Sequence, residues 1–239
     1  MYEVYNGKMF SRIAALIVDL IIVLCIFVTI DILITKNVAN NVWQYDDKVS
    51  EYENYQIDYG IAYKDAEGNL IYVDDVEDST LEAFKSDESV LALAQDITTL
   101  QIIQISFDLF VSEILVFFVL PLIFKNGQTL GKKLMRLGLV NSKGLKVANW
   151  AVFARFIIGI YAVESIISVL TFSPVPLILS FLIALFTKKK TALHDLIAGT
   201  RVIDIDKTII FETFEEKSAA IEEYEKTKKK EEEPKLISA

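Results

Sequence analysis

The sequence predicts an all-α polytopic membrane protein: a four-helix transmembrane bundle with a small extracytoplasmic insertion and a small cytoplasmic β element. Three observations lead there. The chain of 239 residues is 53% hydrophobic yet 24% charged, and the two kinds of residue are segregated along it. Several apolar runs reach the length of a bilayer crossing. The stretches between them carry sharply unequal charge.

Taken in order, residues 13–34 form the first run, 22 residues nearly all apolar. At 1.5 Å per residue this is ~33 Å, against a hydrocarbon core of ~30 Å. Asp19 and Asp31 within it, and the lack of a small-residue cleavage pattern after it, argue against a cleaved signal peptide. Residues 36–96 follow as an acidic outer segment. In it, residues 56–73 read as a hairpin with its turn at Glu67-Gly68-Asn69. Asp78 or Ser79 is placed to cap a helix running through Leu81, Phe84 and Val90 towards the second span. Residues 102–124 and 150–172 are the second and third runs, each of 23. A fourth, residues 174–187, has only 14. It is either a short span continued by Lys188–Lys190 snorkelling, or half of a re-entrant hairpin turning at Ser173-Pro174-Val175-Pro176. Between the second and third runs, residues 134–140 alternate, 141–144 form a turn and 145–147 continue. With residues 200–205 as a third strand, they predict a small sheet. Residues 206–239 are a charged tail, either a polar helix or a disordered segment.

Loop charges set the orientation. Residues 125–155 hold seven basic residues and no acidic one, whereas 36–96 hold fifteen carboxylates against four lysines. The positive-inside rule then puts both termini and the middle loop in the cytoplasm. The organisation expected is a first helix (1–35), an acidic outer domain (36–96), helices two to four with their basic loop (97–205) and the tail (206–239). The net charge of −9 disfavours nucleic acid as a partner. A single cysteine, Cys25, and a single histidine build neither a disulfide nor an ordinary zinc site. No EF-hand spacing is present, and no cofactor is implied.

Ionisable residues at membrane depth are expensive, so each asks for a reason. Arg12 and Asp19 lie seven apart, on one helix face about 10 Å apart in height. They read either as a counter-ion and carboxylate at a cation or proton site, or as part of a packing salt bridge such as Arg12 with Asp195. Asp108 and Glu113 sit in the second run. Glu113 is nearest mid-depth, where it is either a protonatable carboxylate that approaches Asp19 or a partner of Arg155. The third run carries Arg155 and, deeper, Glu164. His194-Asp195 offers a proton relay or a tether between the last helix and the sheet. Gly127 to Lys133 is one residue short of a phosphate loop and reads as a turn beside lipid headgroups, its lysines facing anionic lipid.

These residues resemble a known family. Arg12 with Asp19, Gly127-Gln128-Thr129-Leu130-Gly131-Lys132, Met135-Arg136-Leu137-Gly138-Leu139-Val140, Arg155, and Leu193-His194-Asp195-Leu196-Ile197-Ala198-Gly199-Thr200-Arg201-Val202 are similar to the hallmarks of RDD-family membrane proteins. The resemblance covers residues 9–35 and 100–205. It implies a helical bundle suspected of transport, some members having been proposed as sodium/proton antiporters. Arg12 and Asp19 fit the first two residues the family is named for, with Asp195 for the third. The long acidic outer segment is not part of the pattern.

The function expected is therefore a small cation/proton transporter of the bacterial plasma membrane, with Arg12, Asp19, Asp108, Glu113, Arg155, His194 and Asp195 as ion-pathway candidates. Its partners are the lipid bilayer and a monovalent cation or proton, with homodimerisation or a protein partner through residues 36–96. The competing expectation is a non-transporting adaptor that docks through the acidic segment and the charged tail. No enzyme is expected, because one histidine does not yield a nucleophile–base–orienter set.

Overall fold

A computed structural model describes residues 4–187 and 190–232. Residues 188, 189 and 233–239, on which parts of the snorkelling and tail readings fall, lie outside the described residues. The chain opens with α1, Met9–Ile30, which passes through a π-helical turn, Asp31–Thr35, into α2, Lys36–Trp43. It continues as α3 (Tyr45–Asp58), β1 (Ala62–Lys64), β2 (Leu70–Tyr72), α4 (Asp78–Ser86) and α5 (Glu88–Ile114). A π turn, Leu115–Val119, leads into α6 (Leu120–Ile123). Then come α7 (Leu130–Leu134), β3 (Leu137–Asn141) and α8 (Asn149–Ala154), a π-helical stretch Arg155–Ile166, and α9 (Ile167–Leu170). The chain ends in α10 (Val175–Phe186), α11 (Leu193–Ile197), β4 (Thr200–Asp204) and α12 (Phe214–Glu232).

Among the described residues three helical stretches are long and apolar enough to cross a membrane: Met9–Trp43, Glu88–Ile123 and Asn149–Leu170. The fourth apolar helix, α10, has 12 residues. It covers ~18 Å, short of a ~30 Å core, so the expected count of four spans is reduced to three of full length. The first helix also overruns its expected end at Ile34. No Gly or Pro interrupts residues 31–43, and the helix stops only where Gln44 turns left-handed (φ 52°). The polar residues Lys36–Trp43, read as loop, are therefore helical. The tail is a helix as far as Glu232.

The chain forms two compact units, Phe27–Asp108 and the pair of segments Met1–Ile26 with Leu109–Ala239. In the first, the hairpin forms with Ala62 opposite Tyr72 and Lys64 opposite Leu70. Asp65 Oδ1 accepts from the Glu67 and Asn69 amides at 2.9 and 2.8 Å, and Gly68 takes the positive φ its turn needs. Residues 56–58, expected to open the hairpin, instead end α3. Ile61 N donates to Gln56 O and Gly60 is left-handed, a Schellman close that stops the helix there. The predicted cap is displaced as well. The helix breaks at Asp87, whose Oδ1 accepts from the Ser89 and Val90 amides and starts α5. Ile61, Phe84 and Val90 make the core, with Tyr52 and Tyr59 edge-on to Phe84 at 5.8 and 5.4 Å.

In the second unit, β3 and β4 pair antiparallel, Leu137 opposite Asp204 and Asn141 opposite Thr200. The turn at 141–144 forms, but Leu145–Val147 makes only isolated bridges, Lys146 to Val140 and Leu145 to Phe211, and is not a strand. The far edge of β4 is taken instead by the N-terminal segment: Asn6 bridges Ile203, and Asp204 N donates to Tyr5 O. Ala15, Leu137, Leu139, Val152 and Val202 pack the sheet against α1 and α8. Val23, Val116, Phe117, Phe156 and Ile160 make an apolar layer between the long helices.

Candidate functional site

The second unit contains a partly open cavity of about 170 Å³, and ionisable side chains from five segments line it. Arg12 and Asp19 come from α1, and Glu113 from the end of α5. Lys132 comes from α7, Arg155 and Glu164 from the π-helical stretch, and His194 and Asp195 from α11. The remaining lining is largely apolar, with Leu16, Phe117, Ile160 and Phe181 among it.

Asp195 is the hub, with 1% of its surface exposed. Its Oδ1 accepts from Arg155 Nε at 2.9 Å and from Thr200 Oγ1 at 3.2 Å. Its Oδ2 accepts from the Ala192 amide at 3.3 Å, which caps α11, and lies 3.6 Å from Arg12 Nη2. Arg12 also donates to the Lys190 carbonyl. Burial works against the Asp195 charge, but Arg155, His194 and Arg12 outweigh it and hold the carboxyl well below its usual range. His194 stands between two acids: its Nε2 lies 3.7 Å from Asp195 Oδ1 and its Nδ1 2.8 Å from Glu164 Oε1, an oxygen that also accepts from Ser180 Oγ. Gly159 makes this approach possible, because a Cβ there would stand 2.5 Å from His194 Cβ.

Asp19 is bound on both oxygens. Thr129 Oγ1 donates to Oδ2 at 2.5 Å and the Gly131 amide to Oδ1 at 2.8 Å. Thr129 Oγ1 in turn accepts from Lys132 N and so caps α7. Gly131 is required by contact: a Cβ there would come within 2.1 Å of the Ala15 carbonyl oxygen. Lys132, read as a headgroup contact, is instead buried at 7% exposure. Burial, reinforced by the Arg155 charge, pushes its ammonium down to about 7. The inward turn follows from the Asp19 anchor, which pulls the start of α7 onto α1. Lys133 does stay exposed, over the Phe124 ring at 4.1 Å.

Glu113 differs from these carboxylates. Ser165 Oγ donates to its Oε1 at 2.5 Å, while its Oε2 is buried with no hydrogen-bond partner. The expected pairing of Glu113 with Arg155 is not made, because Arg155 is turned to Asp195, a stronger multi-donor site. Asp108 does not line the cavity. It belongs to the other unit, where Thr35 Oγ1 donates to its Oδ1 at 2.5 Å. The cavity therefore gathers six of the seven candidates read from the sequence and adds Lys132 and Glu164. Glu164 carried the same signal as Glu113, an acid within an apolar run. Lys132 had no such mark, since a lysine in a basic loop looks solvated.

Three long apolar helices with a charged, partly polar cavity between packed segments define a multi-pass integral membrane protein. The sequence profile of the RDD family matches residues 7–199, and the chain belongs to that family. No curated protein and no solved structure matches it.

Proposed function

We propose that this RDD protein exchanges a monovalent cation for protons across the membrane, with Glu113 as the carboxylate that takes up and releases them. One observation carries the reading: among the described residues Glu113 Oε2 is a buried carboxylate oxygen with no hydrogen-bond partner, in a residue that lines the cavity. Leaving an acceptor unmet at depth is costly, and a proton or a dehydrated cation would relieve it. The other carboxylates of the cavity are tied: Asp19 to Thr129 and Gly131, Glu164 to His194 and Ser180, Asp195 to two arginines. In this reading they hold the frame, and Glu113 moves the charge. Helix α10 completes an even number of passes as a short fourth crossing. The basic 125–155 loop and both termini face the cytoplasm of a bacterial plasma membrane. The test is proton flux in liposomes with an imposed sodium or potassium gradient. Flux that depends on the cation and is lost in Glu113→Gln supports the reading. Absence of such flux, or full flux in a folded Glu113→Gln, overturns it.

A second reading, an adaptor docking through residues 36–96, is favoured by the separate core of the Phe27–Asp108 unit. It calls for one stoichiometric partner in a pull-down that is lost on deleting 40–95. A pull-down without such a partner removes it.

A further inference from the structure

The apolar wall of the cavity has no part in the exchange of a bare ion at Glu113. Leu16, Leu20, Phe117, Ile160, Leu177 and Phe181 line the same cavity as Glu113. An alkali ion binds through oxygens and makes no use of such a wall. Four of these residues also reach the outside of the protein. Leu16 and Leu20 of α1 are 42% and 49% exposed, and Leu177 and Phe181 of α10 are 45% and 37% exposed. They put the mouth of the cavity between α1 and α10, two helices of the same compact unit. Both helices are apolar, so this mouth faces lipid tails rather than water.

Charge then selects among apolar occupants. Asp19, Glu113, Glu164 and Asp195 line the cavity against Arg12, Lys132 and Arg155, with His194 counted as neutral. One negative charge is left over. Asp195 answers both arginines, Asp19 is held by Thr129 and Gly131, and Glu164 has His194 and Ser180. The surplus falls on Glu113, which is 6% exposed. Ser165 donates to its Oε1, and among the described residues its Oε2 is buried with no hydrogen-bond partner. An acyl chain would cover the wall and leave this oxygen unmet. A bare ion would meet the oxygen and leave the wall unused. A monovalent cation with an apolar body satisfies both, its charge at Glu113 and its body on the wall. The rings of Phe117 and Phe181 are surfaces of the kind that attract an ammonium.

We propose that the cavity takes up a hydrophobic organic ammonium ion, which enters from the bilayer between α1 and α10 and pairs with Glu113. This rests on the Glu113 reading and names a cargo for it. The Glu113 carboxyl gives its proton to water as the ammonium arrives, so the charge inside the cavity does not change.

The experiment uses the whole chain, purified in a neutral detergent. The probe is radiolabelled benzyltrimethylammonium, whose charge does not depend on pH. Neopentylbenzene has the same shape without the charge, and sodium has the charge without the apolar body. Binding is measured at equilibrium against each, and proton release is followed in unbuffered, mildly acid solution. The expected result is saturable binding of one benzyltrimethylammonium per chain, weakened as pH falls and not displaced by equimolar neopentylbenzene. Roughly one proton should leave per ion bound. Glu113→Gln should lose binding by about tenfold or more and release no proton. Phe181→Ala should weaken binding about fivefold. If Glu113→Gln is not monodisperse, the competition and the proton release of the unaltered protein decide. No saturable binding overturns the proposal, as does unchanged binding in a monodisperse Glu113→Gln. Equal displacement by neopentylbenzene also overturns it and marks the wall as a seat for an acyl chain. Liposomes separate the two levels of the argument. Proton flux driven by sodium or potassium, but neither driven nor blocked by benzyltrimethylammonium, refutes the ammonium cargo and leaves the Glu113 reading standing. Flux that is unchanged in Glu113→Gln with every cation removes both.

Discussion

Replacing Asp195 by Asn tests whether the site is held together by charge. The substitution keeps the shape and removes the one carboxylate shared by two buried guanidinium groups. At 2.9 Å from Arg155 Nε and 3.6 Å from Arg12 Nη2, the gross attractions are ~6 and ~5 kcal/mol at an effective dielectric of about 20. Part of this is offset because a buried carboxylate no longer has to be desolvated. The arginines, 4% and 10% exposed at their side chains, remain buried and lose their counter-charge. Breaking one side of such a pair costs about 3–5 kcal/mol net. An amide at Oδ2 would also turn an N–H towards the Ala192 N–H it now accepts from. For a chain of this length each kcal/mol moves Tm by roughly 2–4 °C, so a fall of roughly 6–20 °C is expected. Intrinsic fluorescence follows it, with Trp43 and Trp150 as the reporters. The sign with pH is fixed too. The Asp195 carboxyl is held below its usual range, so its contribution is present above about pH 4 and is lost as pH falls through the folded value. The gap between parent and Asp195→Asn must therefore narrow at low pH. A fall smaller than ~2 °C at pH 7, or a gap that widens on acidification, would refute the charge argument.

Two further outcomes are expected. Gly131→Ala puts a Cβ against the Ala15 carbonyl oxygen and Asp19 Oδ1, backbone and a bonded carboxylate, neither of which can yield. A loss of about 3 kcal/mol, near the upper end for overpacking, should appear as a lowered Tm, and faster amide exchange should be seen in 129–136 before other segments. Lys132 has a folded value of about 7, below its free value, so the unfolded chain binds more protons between about 7 and 10.5. Stability should rise with pH across that window by up to ~1.4 kcal/mol per unit, and Lys132→Met should flatten the slope and be the more stable protein at pH 6.

The parts of the fold legible in the sequence are those a single helix or hairpin decides alone. Three apolar runs, the Asp65 to Asn69 turn and the 141–144 turn are local, and each formed. The extension of α1 through Lys36–Trp43 was not legible. Its residues are polar, and the only sign was the lack of a breaker before Gln44. The strand expected at 145–147 did not form, and the free edge of β4 is filled by whichever segment reaches it. Here that is the N-terminal Tyr5-Asn6, almost two hundred residues away in sequence. The direction a side chain faces did not follow from counting along a helix. Glu113 was placed at mid-depth, but its turn towards Ser165 and away from Arg155 depends on how the third helix is rotated.

The same distinction separates the frame of the site from its working groups. A charge spacing such as Arg12 with Asp19 signals that something buried must be paired, and the pairing then proves three-dimensional: Arg12 reaches α11, and Asp19 reaches α7. Neither partner is on the same helix, so no spacing rule could have joined them. Once each carboxylate is matched to its donors, most of the charge is consumed in holding five segments around one cavity. What is left over is small and unevenly distributed. Among the described residues one carboxylate oxygen sits at Glu113, and one guanidinium nitrogen at Arg155. Buried polar groups in a native protein are seldom left unmet without a use. In the proposed exchange, these few atoms rather than the conspicuous ion pairs are where the moving charge is expected to make contact.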